Sequence, residues 1–143
     1  MSARPYAVAA LVVLSLGGCG ESGGSEAERE SEGANRPAAQ TVRAFYAAAD
    51  KPDGQRACSL LTDSGIRAVV RVNSRAACMR TIDGFAPGSF SDESGLLLRI
   101  ERVEEHGDQF DVDAAVKGRS GGAYSVVRRR GRLMIDGFSS EEG

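Results

Sequence analysis

Two hydrophobic periods divide the chain. Apolar side chains at Ala38, Val42, Phe45, Tyr46 and Ala49 follow the i, i+4, i+7, i+8, i+11 rhythm of an amphipathic helix. Asn35 is the expected N-cap and Pro37 suits the first turn, where its missing N–H has no helical partner to lose. Lys51-Pro52-Asp53-Gly54 ends the segment near Asp50. A second helix is expected over Gln55 to Leu61, burying Ala57, Cys58, Leu60 and Leu61. Thr62-Asp63-Ser64 provides the cap for a short turn carrying Ile66, Val69 and Val70, and a fourth segment from Ser74 to about Ile82 presents Ala77, Cys78 and Ile82 on one side.

Beyond Gly84, Pro87, Gly88 and Ser91 the period falls to two. Phe110, Val112, Ala114 and Val116 alternate with Gln109, Asp111, Asp113 and Lys117, the pattern of a half-buried strand. Strands are also expected over Gly95 to Val103, Ala123 to Arg129 and Arg132 to Phe138. Turn signals at His106-Gly107-Asp108, Gly118 to Gly122 and Arg130-Gly131 separate them. Connections this short imply an antiparallel meander of about four strands. Helices first and strands second predict an α+β domain, with helices packed on one face of a curved, cone-like sheet.

The N-terminal region obeys neither period. Arg4 precedes the ten apolar-biased residues Ala7 to Leu16, AVAALVVLSL, which are too few for a permanent membrane-spanning helix and read as a targeting signal. An ordinary cleaved secretion signal would favour a small-x-small site, whereas here Leu16 stands three residues before Cys19. Leu16-Gly17-Gly18-Cys19 resembles the bacterial lipobox. That resemblance implies a signal peptide over residues 1–18, cleavage before Cys19 and a diacylglyceryl group on its thiol. The expected location is the extracytoplasmic face of the cell membrane, with membrane lipid engaged through acylated Cys19.

Residues 19–36 read as the lipidated cysteine and a flexible linker of Gly, Ser and Glu, residues 37–139 as the globular domain and 140–143 as a tail. Charge follows this division. The whole chain has sixteen Arg and two Lys against twenty acids, yet residues 37–143 contain fifteen charges of each sign. The acidic excess therefore belongs to the linker, through Glu21, Glu26, Glu28, Glu30 and Glu32 against Arg29 and Arg36. About seventeen flexible residues give a root-mean-square reach of about 23 Å. With no basic face interleaved with aromatics, nothing points to a nucleic-acid partner.

With Cys19 acylated, Cys58 and Cys78 are left as an even pair in an oxidising compartment. The preferred reading is a disulfide; two buried free thiols are the alternative. These cysteines and the single His106 make no zinc pattern, and no cofactor is implied. His106 lies among Glu104, Glu105, Gly107 and Asp108, which describe a solvated turn. Asp111 and Asp113 point away from the apolar face by parity, while Asp136, between Ile135 and Gly137, is compatible with either side. Arg128-Arg129-Arg130 and Arg132 form a basic hairpin tip that can meet anionic headgroups or a wall polymer, or stand solvated.

Thr41 to Asp50 (TVRAFYAAAD), then Gln55 to Thr62 (QRACSLLT), a second cysteine and a C-terminal meander resemble exported members of the ketosteroid-isomerase-like, nuclear-transport-factor-like superfamily. The resemblance implies a sheet wrapped on helices around a pocket, in a superfamily that holds isomerases, cyclases and binding scaffolds. An enzyme of that kind wants a carboxylate and a hydroxyl donor inside the cone, for which Asp136, Tyr46 and Tyr124 are the weak candidates. The first expectation is a non-enzymatic module that binds a small molecule or an envelope protein. The alternatives are an isomerase-like or hydrolase-like enzyme, and a purely structural interaction domain.

Overall fold

A computed structural model of the protein describes residues 36–91, 98–115 and 122–140. The expected signal segment, Cys19, the expected linker as far as Asn35, residues 95–97 of the first expected strand, residues 116–121 and the 141–143 part of the tail lie outside the described residues. Four helices, α1 (Pro37–Asp50), α2 (Gly54–Ser59), α3 (Asp63–Val70) and α4 (Arg75–Asp83), precede four strands, β1 (Arg99–His106), β2 (Gln109–Ala115), β3 (Gly122–Arg129) and β4 (Arg132–Ser140). The strands form one antiparallel sheet in the order β1-β2-β3-β4, so the fold is the expected α+β meander.

The helix ends follow the local chemistry. Pro37 opens α1 with Arg36 at the cap position and no side-chain cap, one residue later than the Asn35 cap expected from the sequence. Asp53, Thr62 and Ser74 cap α2, α3 and α4 by accepting from Arg56 N, Gly65 N and Ala77 N. The second helix stops at Ser59, because Leu60 and Leu61 leave it to join the sheet. Leu61 bridges Ile135 in parallel: Thr62 N donates to Ile135 O at 3.0 Å and Ile135 N donates to Leu60 O at 2.8 Å. This short pairing covers the outer edge of β4 with backbone partners.

Alternation fixes which side chains are buried. Ile100, Phe110, Val112, Ala114, Tyr124, Val126 and Ile135 face the helices, where Ala38, Val42, Phe45 and Ala49 of α1 meet them. Two bulges break the alternation. Ile100 pairs with Ala114 and Val103 with Val112, which leaves Glu101 as the extra residue of β1. Val126 pairs with Ile135 and Ser125 with Gly137, which leaves Asp136 as the extra residue of β4. Each bulge lets two inward residues stand three apart and bends the strand that carries it.

A disulfide joins Cys58 to Cys78, both fully buried, and so ties α2 to α4 as the preferred reading expected. Arg75 supports the same junction by donating to Cys58 O at 2.7 Å. Among the described residues no charged side chain is buried, and no buried side-chain nitrogen or oxygen lacks a hydrogen-bond partner. No helix of the described residues is long and apolar enough to cross a membrane.

Candidate functional site

Helix α1 and strand β3 bring Tyr46 and Tyr124 together, their hydroxyls 2.7 Å apart. Both lie in an aromatic cluster: Tyr46 packs edge-on against Phe45, Phe90 and Tyr124, and Tyr124 in turn packs edge-on against Phe138. Burial pushes the Tyr124 phenol above its ordinary range, and the hydrogen bond with Tyr46 pulls it partly back. The ring positions are set by packing, so the hydroxyls meet at the margin of the core.

Asp136 is elsewhere. The β4 bulge turns it toward the α2–α3 junction, where it accepts a hydrogen bond from Thr62 Oγ1 at 2.7 Å. The same hydroxyl oxygen accepts from Gly65 N at 3.1 Å, so one threonine caps α3 and anchors the bulge. An open cleft beside it is lined by Asp63, Arg67, Arg75, Arg129, Met134 and Asp136 among others, and contains neither tyrosine. The carboxylate and the hydroxyl donors therefore do not converge on one cleft, and Phe45, Val126 and Ile135 belong to the packed core.

The outer face of the sheet holds a different arrangement. Asp111 and Asp113 point outward, as their parity predicts, opposite Glu104 and Arg102 across the β1–β2 pair. Together with Glu101 and the backbone of β3 and β4 they line an open cleft of about 470 Å³. Four carboxylates and the Arg102 guanidinium line it, and Glu101 is paired with Arg99 at 3.0 Å. Arg102 donates to Asp113 at 2.9 Å and pairs with Glu104 at 3.1 Å. The hydrogen bond that Arg102 donates to Asp113, then the charge of Glu104, hold the guanidinium above its ordinary range. An acidic surface of this size suits cationic or hydrogen-bond-donating groups. The sequence announced its outward carboxylates by parity; their convergence with Glu101 depended on the β1 bulge, for which no sequence signal was available.

His106 sits at the end of β1 with Nε2 3.4 Å from Asp111 and 3.8 Å from Glu104. Ligand atoms of Glu104, His106 and Asp111 all lie within 4.8 Å of one another, a set that could hold a divalent transition metal. Glu104 is already paired with Arg102, and the three side chains are each about half exposed. The group is what cross-strand pairing of alternate charged residues produces.

A third cleft, of about 200 Å³, lies where the chain enters the domain. Pro37, Ala38, Phe110 and Leu133 form its apolar floor, and Arg36, Arg128 and Glu105 its rim. Arg128 lies over the Phe110 ring, 5.8 Å from its centroid, and pairs with Asp108 at 3.5 Å. No family model, curated protein or solved structure matches this chain.

Proposed function

We propose that the chain is a membrane-anchored lipoprotein on the extracytoplasmic side of the cell membrane, and that its α+β domain is a non-enzymatic binding or interaction module. The observation that carries this reading is the lipobox-like Leu16-Gly17-Gly18-Cys19 at the end of a ten-residue apolar segment. The Cys58–Cys78 disulfide accords with an oxidising destination. The separation of Asp136 from the Tyr46–Tyr124 pair favours binding over isomerase-like chemistry, which requires a carboxylate and a hydroxyl to converge on one substrate. The acidic cleft on the outer sheet face is the candidate binding surface, and kinship with the nuclear-transport-factor-like superfamily remains part of the proposal through the helix-then-meander order.

The deciding experiment is fractionation of cells expressing the full chain or its Cys19→Ala variant, with mass spectrometry of the mature N-terminus. The wild-type protein is expected in the membrane fraction with a lipid mass on Cys19, and the variant outside it. A variant that stays with the membrane, together with wild-type protein lacking lipid on Cys19, would overturn the reading.

A further inference from the structure

The chain enters its domain at the end of the fold where positive charge is densest. Strands β1 and β3 run toward this end and β2 and β4 away from it, so the β1–β2 turn and the β3–β4 hairpin tip project together. Arg36, the residue before α1, reaches the Val103 carbonyl at 3.3 Å and shares the small cleft with Arg128 and Leu133. The domain end of the linker is thereby fixed beside the hairpin arginines.

Five arginines, Arg36, Arg128, Arg129, Arg130 and Arg132, are exposed at this end, against the carboxylates of Glu105 and Asp108 and of Glu104 and Asp111, the last two gathered on His106. Arg128 is engaged by Asp108, whereas Arg129, Arg130 and Arg132 form no ion pair among the described residues. The N-terminus of α1 adds the positive end of a fourteen-residue helix dipole, with no side-chain cap. The acidic cleft lies on the outer sheet face and runs from Glu104 and Asp111 near the β1–β2 turn to Glu101, Asp113 and Gly122 toward the opposite end. Positive charge without an ion pair is therefore concentrated at the β3–β4 tip, beside the attachment point.

We infer that this arginine-bearing end is a docking surface for the anionic headgroups of the bilayer, an inference that rests on the lipid attachment of Cys19 proposed above. A linker of the reach expected from its composition, about 23 Å, would by itself let the domain tumble, since charges interact over only about 8 Å at physiological salt. The linker nevertheless keeps the domain close enough for repeated encounters, and each arginine at an anionic surface favours the docked state about fivefold. Docking through the β3–β4 tip leaves the far part of the acidic cleft, around Glu101, Asp113 and Gly122, clear of the lipid and open to a partner.

The test uses the lipidated full chain reconstituted in vesicles of phosphatidylcholine, with or without phosphatidylglycerol. A nitroxide is placed on Gln109→Cys, at the tip end, or on Lys51→Cys, after the far end of α1. With phosphatidylglycerol the label at position 109 is expected to lose access to a water-soluble nickel chelate several-fold, while the label at 51 keeps it. The protection should vanish in about 1 M salt, where the Debye length is about 3 Å. Arg129→Gln, Arg130→Gln and Arg132→Gln together should lower the ratio of docked to undocked protein about hundredfold.

Anchored protein with equal access at 109 and 51, or equal protection on neutral vesicles, overturns the docking surface and leaves the anchor standing. Loss of the protection on adding an anionic wall polymer would assign the surface to that polymer and overturn the lipid. Protein without lipid on Cys19 overturns the proposed function and this inference with it.

Discussion

The hydroxyls of Tyr46 and Tyr124 meet at 2.7 Å across the junction of α1 and β3, although the residues are separated by 78 positions in the chain. Removing either hydroxyl deprives the other of this partner. Tyr124→Phe is expected to cost about 1 kcal/mol in urea unfolding, the usual size of a partly buried hydrogen bond. The Tyr46→Phe/Tyr124→Phe double variant should cost less than the sum of the two single changes, because both break the same contact.

The same pair predicts a pH dependence. Burial raises the folded phenol of Tyr124 above that of the unfolded chain, which titrates near pH 10. A raised acid means that the native state holds its proton longer. Its contribution to stability is therefore fully present below about pH 10 and is lost as pH rises through the folded value. Urea midpoints measured from pH 8 to 11 should fall more steeply for wild type than for Tyr124→Phe; parallel curves would show that Tyr124 is not the group responsible.

Cys58 and Cys78 close a loop spanning 20 positions. Replacing both by alanine is expected to destabilise the domain by about 3 kcal/mol on the chain-entropy estimate. A direct check of the bond is alkylation followed by mass measurement: no addition at these two residues without reductant, and two alkyl groups after reduction.

Gly65 packs against the strand its helix rests on. A Cβ there would fall on the Ile135 carbonyl oxygen, the acceptor of the Thr62 N–H. Gly65→Ala should therefore shift α3 from β4 and cost about 1–3 kcal/mol, the range for overpacking. Ala68→Gly, at an exposed position of the same helix, is the comparison: it should cost about 1 kcal/mol through helix propensity alone and leave the Leu61–Ile135 bridge intact, as read by amide exchange.

Asp50 ends α1 and holds the following loop. Its Oδ1 accepts from Phe90 N at 2.7 Å and Ser91 N at 3.1 Å, and its Oδ2 accepts from Ser91 Oγ at 3.1 Å. Asp50→Ala is expected to cost about 2 kcal/mol and to speed exchange at the Phe90 and Ser91 amides. Asp50→Asn keeps one carbonyl acceptor and should retain part of that protection.

The local chemistry of the chain was enough to order the helices and strands but not to bound them: β1 runs past the expected Val103 to His106, and α2 stops at Ser59 short of the expected Leu61. An i, i+4 stripe or a two-residue alternation needs only neighbouring residues, which is why α1, β2 and the four-strand meander could be read directly, and why Asp111 and Asp113 could be turned outward. The Cys58–Cys78 pair was legible from cysteine number and the compartment expected from the N-terminal segment. Asp136 was not, because a bulge inserts one residue and reverses parity, and that insertion is defined by the partner strand's register. Leu60 and Leu61 carry a helical pattern but are taken by the exposed edge of β4, which offers backbone hydrogen bonds that no local pattern announces. The meeting of Arg36 with the hairpin arginines is likewise a product of strand direction and packing: residues 36 and 128 are remote in sequence, and only the closed α+β arrangement puts them at one end.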